Sequence, residues 1–137
     1  MDEPLSIVLF SGTDDRLTSA SVFAAGAAVL GRPVRILLQY WGLEAFRADR
    51  IGRARGLSTD ADPDGAATFA AAQEAGQVNW ADTLRQAKEL GGIEIHACAQ
   101  SMDILQFDQA DLDPLVDGVE GIAGFLAAAG DGQLLFI

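Results

Sequence analysis

The sequence predicts an α/β domain built on a parallel sheet, and three observations carry this. Residues 5–10 (Leu-Ser-Ile-Val-Leu-Phe), 34–40 (Val-Arg-Ile-Leu-Leu-Gln-Tyr) and 133–137 (Gln-Leu-Leu-Phe-Ile) are apolar runs of strand length, as expected of strands covered on both faces. Between the first two lies a segment of helical period, which makes a β-α-β unit. Glycine and proline mark the breaks, as at Gly31 and Pro33. The 137 residues, 50% of them hydrophobic and 15 of them glycine, suit one domain with a compact core.

Taken in order, the first strand ends at Ser11 and Gly12, and Thr13 or Asp14 caps the helix that follows. Leu17, Ala20, Val22, Phe23, Gly26, Ala27 and Leu30 give that helix a face for packing on the sheet. Gly12 at the first strand-to-helix turn is a weak phosphate signal, because Asp14 and Asp15 face the same anion and the G-x-G-x-x-G spacing is absent. After the second strand, Leu43, Phe46, Arg47, Arg50 and Ile51 predict a helix with a mixed face across 43–55. Arg47, Arg50, Arg53 and Arg55 concentrate basic charge there, either as a solvated face or as a dock for an anion or an acidic partner. Residues 57–65 read as a loop; its spaced aspartates lack the closing glutamate of a calcium site, since the twelfth position is Ala71. Residues 66–76 are alanine-rich and helix-prone. Trp80, Leu84, Ala87 and Leu90 give a better-patterned helix starting at Asn79 or Trp80 and closed by Gly91 and Gly92. Ile93, Ile95 and Ala97 alternate with Glu94 and His96 in a strand that ends at Cys98. Ser101 is then the expected N-cap of a new helical turn. Capped turns around Asp108, Asp111 and Pro114, a brief strand near Val116, a last helix through Ile122 and Phe125 closed by Gly130, and a final buried strand complete the chain.

Nine basic against 20 acidic residues leave a net charge of −11, which repels phosphate backbones and anionic lipid and argues against nucleic-acid and membrane roles. No apolar run approaches 18 residues, and the opening Met-Asp-Glu-Pro lacks a positive start; a cytoplasmic protein is the expectation. A single cysteine and a single histidine exclude an internal disulfide and fall short of a zinc site or a Ser-His-Asp triad. No metal and no cofactor is expected.

Cys98 is the candidate reactive group. Parallel strands gather their carboxyl ends on one edge, so the turns at Gly12 and Thr13, at Trp41 and at Cys98 are expected together where open α/β sheets bind ligands. A strand-to-helix junction offers backbone amides to an anion and lowers a thiol pKa from about 8.5. Trp41 is the expected shelter for the sulfur, with an aromatic filling core as its alternative reading. A lone cysteine also behaves as a small buried hydrophobe, and acids such as Asp103 oppose a second negative charge. His96, two residues earlier on the same face and about 6.5–7 Å away, reads as structural or interfacial rather than catalytic, with Glu94 as its partner.

The stretch Ala-Cys-Ala-Gln-Ser-Met-Asp at 97–103, with Leu-Val-Asp-Gly-Val-Glu at 115–120, the terminal Leu135, Phe136 and Ile137, Tyr-Trp-Gly-Leu at 40–43 and Gln-Ala-Lys-Glu-Leu-Gly at 86–91, resembles the DsrE/DsrF-like family of small sulfur-metabolism proteins, often labelled peroxiredoxin-family. The resemblance runs through most of the chain and departs from the family pattern between about Arg50 and Asn79. It implies one DsrE-like domain over 1–137, a three-layer α/β/α sandwich of flavodoxin-like layout with a mainly parallel sheet of four or five strands, and a homo-oligomer. It also implies a cysteine that carries sulfane sulfur as a persulfide. Cys98 is the residue that transfers; Ser101, Trp41, Thr13 and Gly12 are supporting candidates from the local reading.

The function expected is therefore a sulfur relay protein or sulfurtransferase whose donors and acceptors, by the resemblance, are TusA-like or rhodanese-like proteins. Two alternatives stand beside it. One is a thiol peroxidase or redox sensor, disfavoured because no arginine is evident beside Cys98. The other is a non-catalytic interaction subunit using Trp41, Phe107 and the arginine cluster.

Overall fold

The computed structural model describes residues 3–137; Met1 and Asp2, part of the opening segment read above, lie outside them. Five strands form one sheet in the order β4-β3-β2-β1-β5, every neighbouring pair parallel. They are β1 (Leu5–Leu9), β2 (Val34–Leu38), β3 (Ile93–Cys98), β4 (Gly118–Glu120) and β5 (Gln133–Phe136). The α-helices are α1 (Asp14–Val29), α2 (Tyr40–Glu44), α3 (Pro63–Glu74), α4 (Trp80–Glu89), α5 (Ala99–Leu105) and α6 (Ile122–Ala129). This is the expected α/β/α sandwich, with its sheet fully parallel.

Strand register divides the side chains between two faces. Leu5, Ile7 and Leu9 align with Val34, Ile36 and Leu38 and with Ile93, Ile95 and Ala97. This face packs under α1 and α4, and Leu17, Ala20, Ala24, Trp80 and Leu84 complete the main core. Small residues on α1 let it approach the sheet closely. Val22, Phe23 and Leu30, read as packing residues, instead point outward and are exposed; the buried stripe runs through Ala20, Ala24, Ala27 and Ala28. The opposite face is smaller. Val8, Leu37, Cys98 and Phe125 form a second cluster there, and α6 covers it.

Three expectations fail for identifiable reasons. The helix read across 43–55 stops after α2. Phe46 O accepts from Asp113 N at 2.8 Å, Ala48 N donates to Asp111 O at 2.9 Å, and Arg47 bridges Leu112, so distant backbone takes the groups a helix would use. The loop read at 57–65 ends early because Asp62 caps α3, accepting from Gly65 N at 2.6 Å, with Pro63 in the first helical turn. The final strand, read as buried, lies at the sheet edge, and Phe136 is 70% exposed.

Candidate functional site

Cys98 closes β3 and is itself the N-cap of α5, with φ −68° and ψ 121°. Ser101, expected as the cap, is the third residue of α5 instead. The helix begins earlier because Ala99 follows the strand without a break. This brings the amides of Gln100 and Ser101 toward the sulfur rather than past it.

The sulfur is enclosed, with Cys98 only 3% exposed. Burial pushes its thiol pKa up; the Ser101 hydroxyl and amide, the Gln39 carboxamide and the Gln100 amide outweigh it, and the net result is a thiol below the usual range. Gln39 Nε2 donates to Sγ at 3.8 Å. Ser101 Oγ is buried and has no hydrogen-bond partner among the described residues. The Cys98 side chain makes no capping hydrogen bond to the start of α5, so the helix amides act on the sulfur at longer range than Gln39 does. No metal-binding group of His, Cys, Asp and Glu occurs among the described residues.

Next to the sulfur on the same face lies a charged row. Cys98 is in register with Glu120, and His96 with Gly118. Glu120 accepts from Arg35 Nη2 at 2.7 and 2.9 Å, and Arg35 Nη1 donates to Glu94 at 2.7 Å. His96 Nδ1 lies 3.7 Å from Glu120 Oε2. The acid beside His96 is thus Glu120 rather than Glu94, and Arg35 holds both acids. The Arg35 guanidinium also lies 5.8 Å from the Phe125 ring centroid, joining the charged row to the cover over Cys98.

The other sequence-derived residues gather elsewhere on the same edge. Gly12, Thr13 and Trp41 line a cleft of about 420 Å³ at the carboxyl ends of β1 and β2, together with Phe10, Arg55 and Glu44. Neither Cys98 nor Ser101 lines it. Trp41 is 49% exposed there, and the shelter over the sulfur comes from Val8, Leu37 and Phe125. The division arises at Tyr40, which has φ +42°, a conformation costing about 1–3 kcal/mol for a side chain of this kind. Gln39 N to Leu9 O at 3.0 Å and Gly42 N to Phe10 O at 2.9 Å hold the turn. It leaves Gln39 beside the sulfur and Trp41 in the cleft. Close approach also requires glycine: a Cβ on Gly12 would sit 2.5 Å from Trp41 O, and one on Gly42 2.2 Å from Leu9 O.

Sequence reasoning missed Gln39, Arg35 and Glu120, whereas Arg55 was read only as one of four clustered arginines and is the one that lines the cleft. Arg35, a lone charge inside an otherwise apolar strand, carried a local signal; the positions of the others depend on register and long-range contacts.

A model of the DsrE/DsrF/DrsH-like family matches residues 1–73, just over half of the chain; the matched segment ends before Cys98. The Bacillus subtilis (strain 168) protein YrkE is 29% identical over 157 aligned positions, covering 96% of this chain and 95% of the relative. Among solved structures, the Escherichia coli protein ychN aligns with a TM-score of 0.61 at 12% identity, over all of both chains. MTH1491 of Methanobacterium thermoautotrophicum aligns at 0.53 and 13%, over 99% of this chain and 100% of its own. At these identities the two structures speak for the fold.

Proposed function

From a chain that belongs to the DsrE/DsrF/DrsH-like family, we propose a sulfur relay protein that carries sulfane sulfur on Cys98. The observation that carries the reading is a buried sulfur at the β3–α5 junction to which Gln39 Nε2, from the turn after β2, donates at 3.8 Å, and which this donor and the start of α5 hold below the usual thiol pKa. A thiolate is the attacking species in sulfur exchange. The Cys98 thiolate attacks the outer sulfur of a donor persulfide R–S–SH; the donor S–S bond breaks, Cys98 becomes Cys98–S–SH, and the donor leaves as R–S⁻. In the return step an acceptor thiolate R′–S⁻ attacks the outer sulfur of Cys98–S–SH. R′–S–SH forms and Cys98 departs as the thiolate, so one cysteine completes the cycle.

With the sulfur 3% exposed, attack requires the layer over it to open, and the observed rate then includes that opening equilibrium. Proteins of TusA-like or rhodanese-like type are the donors and acceptors on this reading. The solvent-facing Val22, Phe23, Leu30, Leu134 and Phe136 support assembly with further copies of the chain.

Incubation with an excess of a sulfane-sulfur donor, followed by intact-mass measurement, tests the carrier role. One added sulfur atom on the wild type and none on Cys98→Ser is the expected result; an unmodified wild type overturns it. A non-catalytic subunit is the second reading, favoured by the burial of Cys98, and it predicts the unmodified outcome.

A further inference from the structure

We propose that the cleft between the carboxyl ends of β1 and β2 is a binding site for a small aromatic monocarboxylate, separate from the sulfur chemistry at Cys98. Helix α2 sets one wall of the cleft through Trp41 and Glu44 and also packs against α5, which begins beside the cysteine. The cleft therefore opens on the far side of α2 from the thiol. It lies at the edge where parallel sheets accept ligands, and its volume of about 420 Å³ suits a ligand of one or two rings.

The cleft is held in shape without a ligand. Arg55 is fixed at three points: its amide donates to Asp14 Oδ2 at 2.7 Å, its Nε to Gly12 O at 2.7 Å and its Nη2 to Glu44 Oε1 at 2.8 Å. The following turn is pinned by Asp15, which accepts from Ser58 N at 3.0 Å and Ser58 Oγ at 2.6 Å. Asp14 N donates to Gly56 O at 2.8 Å. The first turn of α1 thus spends its acids on fastening the segment that carries Arg55 and Ser58.

The unspent groups define the ligand. Arg55 Nη1 donates to nothing among the described residues. Arg16, 45% exposed, has among the described residues only Asp60, 82% exposed, as its ion partner; a pair this wet is worth at most about 1 kcal/mol, so a ligand displaces it at little cost. Two guanidiniums against the Glu44 carboxylate leave the lining with one net positive charge in a chain of net charge −11. That matches a monoanion. A phosphate dianion exceeds that single positive charge, and Asp14 and Asp15 already occupy the helix start that phosphate uses. The half-exposed Trp41 and the Phe10 ring supply a flat apolar wall, which an aromatic body covers.

Calorimetric titration of the full chain with benzoate and indole-3-carboxylate tests the site, with benzamide and inorganic phosphate as comparators. At least one carboxylate is expected to bind saturably, about tenfold or more tightly than benzamide or phosphate. Arg16→Gln is expected to weaken it about fivefold or more with an unchanged melting temperature, since Arg16 is a surface residue. Trp41→Leu also weakens it, whereas Cys98→Ser leaves it intact. Absence of saturable binding by either carboxylate, equal binding of benzamide or phosphate, indifference to Arg16→Gln, or loss on Cys98→Ser overturns the proposal. Sulfur loading of Cys98 in the mass experiment is independent of every one of these readings.

Discussion

At Cys98 desolvation and hydrogen bonding act in opposite directions on one atom, and hydrogen bonding wins. Ser101→Ala and Gln39→Leu each remove a donor, and each is expected to raise the thiol pKa, with the double variant higher still; alkylation rate against pH checks this. The lowered pKa also sets a sign for stability. Between the folded value and the unfolded value near 8.5 the unfolded chain binds more protons, so stability from this group grows as pH rises through that window and is lost as pH falls through the folded pKa. The melting temperature of the wild type relative to Cys98→Ser is therefore expected to rise from pH 6 to pH 8.5. How much of this was legible in the sequence follows from distance along the chain. The alternation through Ile93, Ile95 and Ala97 located the junction, because it is local. Gln39 and Glu120 reach the same neighbourhood through strand pairing, and a one-residue change of register would send them to the other face.

Among the α-helices, α3 stands apart because none of its residues is buried. Its cap is a main support, and Asp62→Ala is expected to cost that helix about 1 kcal/mol of local stability. Hydrogen exchange should find α3 amides the fastest of any helix, and faster again in the variant, with little change in global unfolding. The segment after α2 is held in the opposite manner, by acids at the start of α1. Asp15 is destabilised by burial, but bonds from the Ser58 hydroxyl and amide and from the Arg16 amide prevail and hold its pKa below the ordinary carboxylate value. Its contribution is present above the unfolded pKa near 3.9 and is lost as pH falls through the lower folded value. Asp15→Asn is expected to cost about 1–2 kcal/mol at neutral pH and much less in acid, measured by denaturant unfolding. The helix expected over 43–55 failed for the same reason that this segment is stable: its backbone and side chains answer to residues 111–113 and to α1, which a local pattern does not contain.

Across the whole molecule the two faces of the sheet are unequal. One carries the large core under α1 and α4; the other rests on α6, whose buried Phe125 closes over Val8, Leu37 and Cys98. Phe125→Ala is expected to destabilise the fold by about 3–5 kcal/mol, and, where folded protein persists, to speed Cys98 alkylation by opening its cover. The parallel architecture was legible because the runs at 5–10 and 34–40 are apolar on both faces and are joined by a segment of helical period. The exposure of Phe136 was not, since nothing in Gln-Leu-Leu-Phe-Ile distinguishes an edge strand from a central one. The thiol below its ordinary pKa inside a closed layer is tested by the iodoacetamide reaction of the native chain, followed against pH. The account predicts measurable modification of Cys98 with an inflection below the ordinary thiol value of about 8.5, shifted upward in Ser101→Ala. An inflection at or above that value, unmoved by Ser101→Ala, would contradict it.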